Sequence, residues 1–403
     1  MKKITLAALL TTLSVVALVS QAASEGPSAD RRDVPPIPPP WTRRPLVQIA
    51  VVLDAGQGMS ALIHQAKAEI WPIVNEMLFT TKDGKPPIVQ VAILTQGGSE
   101  NPLRDTDTQI LTPFTTNYDA IFSRLNMLRT GDNATDDYAR TIRVALRRLQ
   151  WSPYPEDLKI LFVAGDGWFT RSDDELASAC QEAIDSGIII NTLYCGAYKF
   201  GIDKRWPEAA YCGAGQYIGI DYVRRPKYTQ TPLDKKILEL NEELNETYHL
   251  DADRWDELCK QQRDRDREVT LVSKEAAFQR TLTKAAKGFL MDAAFALLNE
   301  QTGTWGLEPD IPPEELPPVT TEKEFTQLQE KARARRKIEE QILQLAAQRR
   351  VYLLAHQPQS ESARPTLGQA VVQIIREQAQ AKGFHLVAPD KFVPENSETS
   401  ESR

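Results

Sequence analysis

Short apolar runs, each followed by an amphipathic stretch, recur from residue 46 to about residue 220, and this alternation constrains the fold more than any other feature. Val47–Leu53, Ile88–Leu94, Leu158–Ala164 and Gly187–Tyr194 are short and rich in Val, Ile and Leu. Runs of that length and composition suit strands buried on both faces. Ser60–Phe79 follows the first run and reads as a helix with Leu62, Ile63, Ala66, Ile70 and Val74 toward a core. Tyr118–Leu128, Tyr138–Leu149 and Asp173–Ser186 carry the same helical spacing. Thr108–Leu111 is read as a short edge strand and Gln216–Ile220 as a last strand. Strands alternating with helices predict a mostly parallel sheet covered on both sides, with any ligand site at the carboxyl ends of its strands.

The flanks differ from this body. Lys2 and Lys3 precede an apolar stretch, Ile4–Val19, and then Ser20-Gln21-Ala22. This is the pattern of a cleaved secretory signal over residues 1–22, with a retained anchor as the alternative. It predicts a periplasmic or secreted protein. No later stretch is long and apolar enough to span a bilayer, so no membrane span is expected after cleavage. Residues 23–45 read as an extended linker around Val34-Pro35-Pro36-Ile37-Pro38-Pro39-Pro40. After the α/β body, residues 46–225, residues 226–306 read as helical. Leu233–Tyr248 places Ile237, Leu240 and Leu244 on one face, Trp255–Glu268 is highly charged, and Lys274–Leu298 is more apolar. Prolines break the pattern over 307–319. Residues 320–385 read as a helical arm, a hairpin or coiled coil with a narrow stripe from Phe325 to Tyr352 and a shorter helix from Leu367 to Gln380. Residues 386–403 read as a disordered tail.

The 403 residues carry a formal net charge of -7. That balance argues against nucleic acid as a partner, because displacing phosphate counterions needs a basic face. Of the four cysteines, Cys180, Cys195, Cys212 and Cys259, no two form a CxxC pair, so a zinc site is not expected. In an oxidising compartment the favoured pairing is Cys195 with Cys212, a strand end and a nearby loop across a short interval. Buried thiols are the alternative.

The first strand runs into Asp54-Ala55-Gly56-Gln57-Gly58-Met59-Ser60. Then come the polar loop Thr130–Asp137, Val163-Ala164-Gly165-Asp166-Gly167, and Ile190–Gly196 with Trp206 and Gly213–Ile218 after it. In this order the landmarks resemble a von Willebrand factor A-type domain over residues 46–222, and more weakly an exported bacterial subgroup with a helical extension. The resemblance implies an α/β fold, a doubly wound, mostly parallel, Rossmann-like sheet followed by an α-helical extension. It also implies a protein-binding role rather than catalysis, through three loops that hold a divalent cation. One position on that cation takes a partner's carboxylate.

This chain departs from the motif. Gly56 and Gly58 stand where the family has serines, and Ser60 lies two residues too far along. Asp54, Thr135 and Asp166 remain as possible magnesium ligands, with Asp132 as a competing oxygen. The expectation is no cofactor, or at most a weakly held Mg2+, because two carboxylates and waters hold a hard cation poorly. Without metal, Asp54 and Asp166 act as caps. No GxxxxGK[ST], GxSxG or HExxH occurs, and the glycines at 213–219 miss the dinucleotide spacing. Three readings follow. The first is a binding module whose face is Asp54, Gly56, Gly58, Ser60, Asp132, Thr135 and Asp166. The second is a metal-independent envelope protein that oligomerises or docks through its C-terminal helices. An enzyme is the remote third.

Overall fold

At the centre of the protein lies strand β1 (Leu46–Asp54), buried along nearly its whole length because parallel neighbours flank it on both edges. The computed structural model describes residues 43–97, 108–131, 137–247, 253–287, 322–356, 364–388 and 391. The expected signal and Pro-rich break lie outside these residues, as do nearly all of the linker and most of the tail. The sheet contains β3 (Ile88–Gln96), β4 (Thr108–Thr115), β5 (Leu158–Gly165), β6 (Ile189–Cys195) and β7 (Tyr217–Ile220), in the order β4-β3-β1-β5-β6-β7. Only β4 runs antiparallel, against β3 with a register shift, and it extends four residues past the edge strand read from sequence. The remaining pairs are parallel, Ile49 lying level with Val91 and Ile160. The doubly wound, mostly parallel sheet and the helices that follow it are therefore as expected.

Strand parity divides the core. Val47, Ile49, Val51 and Leu53 face helices α1 (Ser60–Leu78) and α2 (Tyr118–Met127). Ala50 and Val52 face α3 (Tyr138–Arg148), α4 (Asp173–Asp185) and, beyond the short α5 (Tyr198–Asp203), α6 (Trp206–Cys212). Each buried branched side chain contributes about 1.5–3 kcal/mol by leaving water.

This parity corrects the expected disulfide. Cys180 on α4 bonds to Cys212 on α6, with Cα atoms 5.6 Å apart. Cys195 ends β6 facing the opposite layer, against α1, so a short interval in sequence does not bring it to Cys212. Cys195 and Cys259 are buried outside that disulfide.

The C-terminal helices do not project as an arm. Helices α7 (Asp234–Glu246), α8 (Asp253–Val272), α9 (Lys274–Lys287), α10 (Glu322–His356) and α11 (Leu367–Ala381) form a third layer over α1, in the same compact unit as the sheet. Helix α1 is buried on both sides and behaves as a core helix. Its polar residues point outward and bond the added layer. The Glu69 carboxylate accepts from the Thr366 hydroxyl at 2.6 Å and the Gly368 amide at 2.8 Å, capping α11. Asn75 donates to the Gln279 carbonyl at 2.9 Å and accepts from the Thr283 hydroxyl at 2.8 Å on α9. Instead of belonging to a disordered tail, Leu386 pairs in β8 (His385–Leu386) with β2 (Thr80–Thr81), at the far end of α1.

Candidate functional site

Strands β1 and β5 end side by side, which places Asp54 next to the Gly165-Asp166-Gly167 turn at the carboxyl edge of the sheet. Asp54 is almost fully buried. One carboxylate oxygen accepts from the Gly56 amide at 2.7 Å. The other accepts from the Tyr138 hydroxyl at 2.5 Å. Tyr138 reaches there because it begins α3, where Asp137 caps the helix through the Arg140 amide. Its own amide donates to the Phe169 carbonyl at 2.9 Å, and its ring packs 4.9 Å from Trp206. Burial, and then the charge of Asp54, push the phenol well above its ordinary pKa, so it stays protonated and donates.

The surrounding loops are tied down by backbone. The Ala55 carbonyl accepts from the Gly131 amide at 3.0 Å, and Gly56 and Gly131 form a parallel bridge. Gly58 adopts φ +95°, a conformation that suits glycine. Gly165 admits no side chain, since a Cβ there would lie 2.9 Å from the Tyr138 ring and 3.0 Å from Asp54. Ser60 opens α1 and is exposed. Asp166 is half-buried, and its carbonyl accepts from the Lys204 ammonium. Beneath lies Cys195, whose thiol is pushed well up by burial and then by Asp54 and Asp166. The structure thus gathers Asp54, Gly56 and Asp166 around Tyr138. Asp132 and Thr135 lie outside the described residues.

Magnesium needs several oxygen ligands in near-octahedral array. Here both Asp54 oxygens already accept hydrogen bonds, Gly56 and Gly58 bring no side-chain oxygen, and no group of three His, Cys, Asp or Glu side chains is arranged to hold a metal among the described residues. The described residues do not fit the cation. Tyr138 is the member that sequence reasoning missed. Its signal was an aromatic residue directly after a capping Asp, at the start of the helix that the polar loop opens.

Aromatic and aliphatic side chains are exposed on the rim beside this cluster. Trp168 follows β5 at 41% exposure, and Tyr198, Phe200 and Ile202 sit on α5, Phe200 at 62%. The Tyr198 ring packs 4.6 Å from Tyr217, whose hydroxyl donates to the Tyr198 carbonyl at 2.5 Å.

No family model matches this chain, and no curated protein does. Several solved structures are similar. A protein described as conserved hypothetical protein BatB from Bacteroides thetaiotaomicron is 17% identical, covering 43% of this chain and 90% of its own, with a TM-score of 0.34. The VWA domain of SpRpn10 is 14% identical over 44% of this chain and 88% of its own, with a TM-score of 0.32. A von Willebrand factor type A structure from Catenulispora acidiphila is 14% identical over 44% and 39%, with a TM-score of 0.33.

Proposed function

We propose that this chain is an exported, non-catalytic binding protein that recognises a protein partner through the carboxyl edge of its sheet, without a metal bridge. The observation that carries this reading is the contrast at that edge. Asp54, the buried acid at that edge, accepts internally from Gly56 and Tyr138 through both its oxygens. Around it, Trp168, Tyr198, Phe200 and Ile202 offer apolar area to solvent. Exposed clusters of this kind mark interaction surfaces, and aromatic residues are enriched at the centres of protein interfaces. The degenerate adhesion motif is then a structural knot that rigidifies the face. Export rests on the residues 1–22 pattern. No helix among the described residues is long and apolar enough to cross a membrane.

The test is capture from an envelope fraction with the immobilised full chain, beside a Trp168→Ala/Phe200→Ala variant. A partner retained by the parent in EDTA and lost by the variant supports the reading. Equal retention by both overturns the rim as the contact face.

A second reading, assembly through the C-terminal helices, has one observation in its favour. Val351 and Leu354 on the last turns of α10 are exposed at 68% and 67%. Solution mass decides it. A monomer at all concentrations removes it.

A further inference from the structure

Three cations and an imidazole converge on the same edge of the molecule, beside the first turns of α1. His64 and Lys67 are half-buried there, one turn apart. Gln65 between them donates to the Asp221 and Arg224 carbonyls at 2.7 and 2.6 Å, which pins the loop after β7 and brings exposed Arg225 alongside His64. On the other side, the Gly131 amide ties the segment after α2 to Ala55, and the Arg129 guanidinium is braced by the Asn126 and Leu128 carbonyls at 2.9 and 3.1 Å. The groups feel one another. Burial lowers the pKa of His64, and Arg225 and Lys67 lower it further; burial and then Arg129 lower that of Lys67.

Several arginines elsewhere find acids. Arg147 bonds Glu182, Arg205 bonds Asp173 and Glu208, Arg349 bonds Asp234 and Glu275, and Arg376 bonds Glu76. Among the described residues no ion pair engages Lys67, Arg129 or Arg225. The first turn of α1 adds no acid and has no side-chain cap, so its positive end contributes to the same field. In a chain with formal net charge -7, acids are abundant enough to have paired these groups. Holding like charges together costs free energy that an anionic ligand would recover.

We propose that His64, Lys67, Arg129 and Arg225 form a docking surface for a carboxylate-rich segment of a protein partner. The inference rests on the partner-binding reading of this edge and names the partner's chemistry. A protein segment fits better than a polyphosphate chain. Three cations and an imidazole are too few to displace the counterions of a phosphate chain, which takes an extended basic face. Direct ion pairs would then do what a bridging cation does elsewhere, with no metal requirement.

The experiment measures fluorescence anisotropy of a labelled dodecapeptide of Glu, Asp and Gly against the full chain. Saturable binding is expected, weakened by salt and unchanged by EDTA. Lys67→Glu/Arg225→Glu should weaken it by at least about tenfold, since each reversal replaces an attraction by a repulsion. Lys337→Glu on α10 serves as a control and should leave it unchanged. The milder Arg129→Gln, checked for an unaltered melting temperature, should weaken it about threefold. Undiminished binding by the double variant overturns the proposal. So does absence of binding by the parent, or tighter binding of oligo-dT or phosphatidylglycerol vesicles than of the peptide. If the envelope partner is retained equally by parent and double variant, the cationic surface fails while the partner-binding reading stands. Loss only in Trp168→Ala/Phe200→Ala would assign the contact to the aromatic rim.

Discussion

At Asp54 each carboxylate oxygen accepts a hydrogen bond that holds a neighbouring segment in place. Tyr138→Phe keeps the ring and removes one hydrogen-bond donor to the buried Asp54 carboxylate. The expected cost is about 1–3 kcal/mol in denaturant unfolding. Magnesium at millimolar concentration should shift the parent's melting temperature by less than about 1 °C, because binding to the native state alone would raise it. A reproducible rise abolished by Asp54→Ala would contradict the metal-free account. Asp54, Gly165 and Asp166 were visible in the sequence, since each ends a strand whose apolar run is unmistakable. Tyr138 was not. It lies 84 residues from Asp54, and only the packing of α3 on the sheet brings its hydroxyl there. The cysteines teach the same lesson. Interval along the chain favoured Cys195 with Cys212, whereas the face of the sheet decided for Cys180. That bond closes a loop across a sequence separation of 32, so Cys180→Ala/Cys212→Ala should cost about 2–4 kcal/mol.

Between elements, the joint of helices α2, α7, α8 and α9 is built from buried charge. Arg280 on α9, 1% exposed, donates to both oxygens of Asp119 on α2 at 2.8 and 2.7 Å, and also to Asp266 on α8. Lys284 donates to Asn241 and Asn245 on α7 at 2.8 and 2.6 Å. Burial alone would raise the Asp119 carboxyl, but Arg280 more than reverses this and holds it at about 2. A carboxyl depressed in the folded state stabilises above its ordinary value of 3.8 and loses that contribution as pH falls through about 2. Burial brings Lys284 down to about 8 against the opposing charge of Asp266. This amine binds more protons unfolded than folded above pH 8, so its contribution to stability rises with pH from about 8 to 10.5. Arg280→Met strands Asp119 in the interior and should cost about 3–5 kcal/mol near neutral pH. It should also flatten the acid limb of the stability profile. The helices were legible as helices because their spacing is strong. Their docking was not. The stripe on α10 read equally well as a free arm, and pairs such as Arg280 with Asp119, 161 residues apart, leave no local pattern.

For the whole molecule, the added layer makes the C-terminal region part of the fold. The sequence did hold one sign of it. Helix α1 carries Trp71, Ile73 and Met77 in addition to the stripe expected to face the sheet, more apolar area than one contact can cover. Cutting the chain before residue 364 should therefore expose that face. The expected outcome is soluble aggregate or dye-binding product rather than a smaller stable domain, read by light scattering and ANS fluorescence. A monodisperse, cooperatively melting fragment of residues 44–363 would refute the shared core.

The pairing of β2 with β8 and of Glu76 with Arg376 joins segments 300 or more residues apart in sequence. During synthesis, α1 emerges early and waits for nearly the entire chain before its outer side is covered. Closing so long a loop late makes maturation slow and post-synthetic. A polypeptide that cannot finish folding until its last helices arrive stays threadable while it is made. Under the export proposed above, that delay would keep the chain competent for translocation and leave native assembly to the far side.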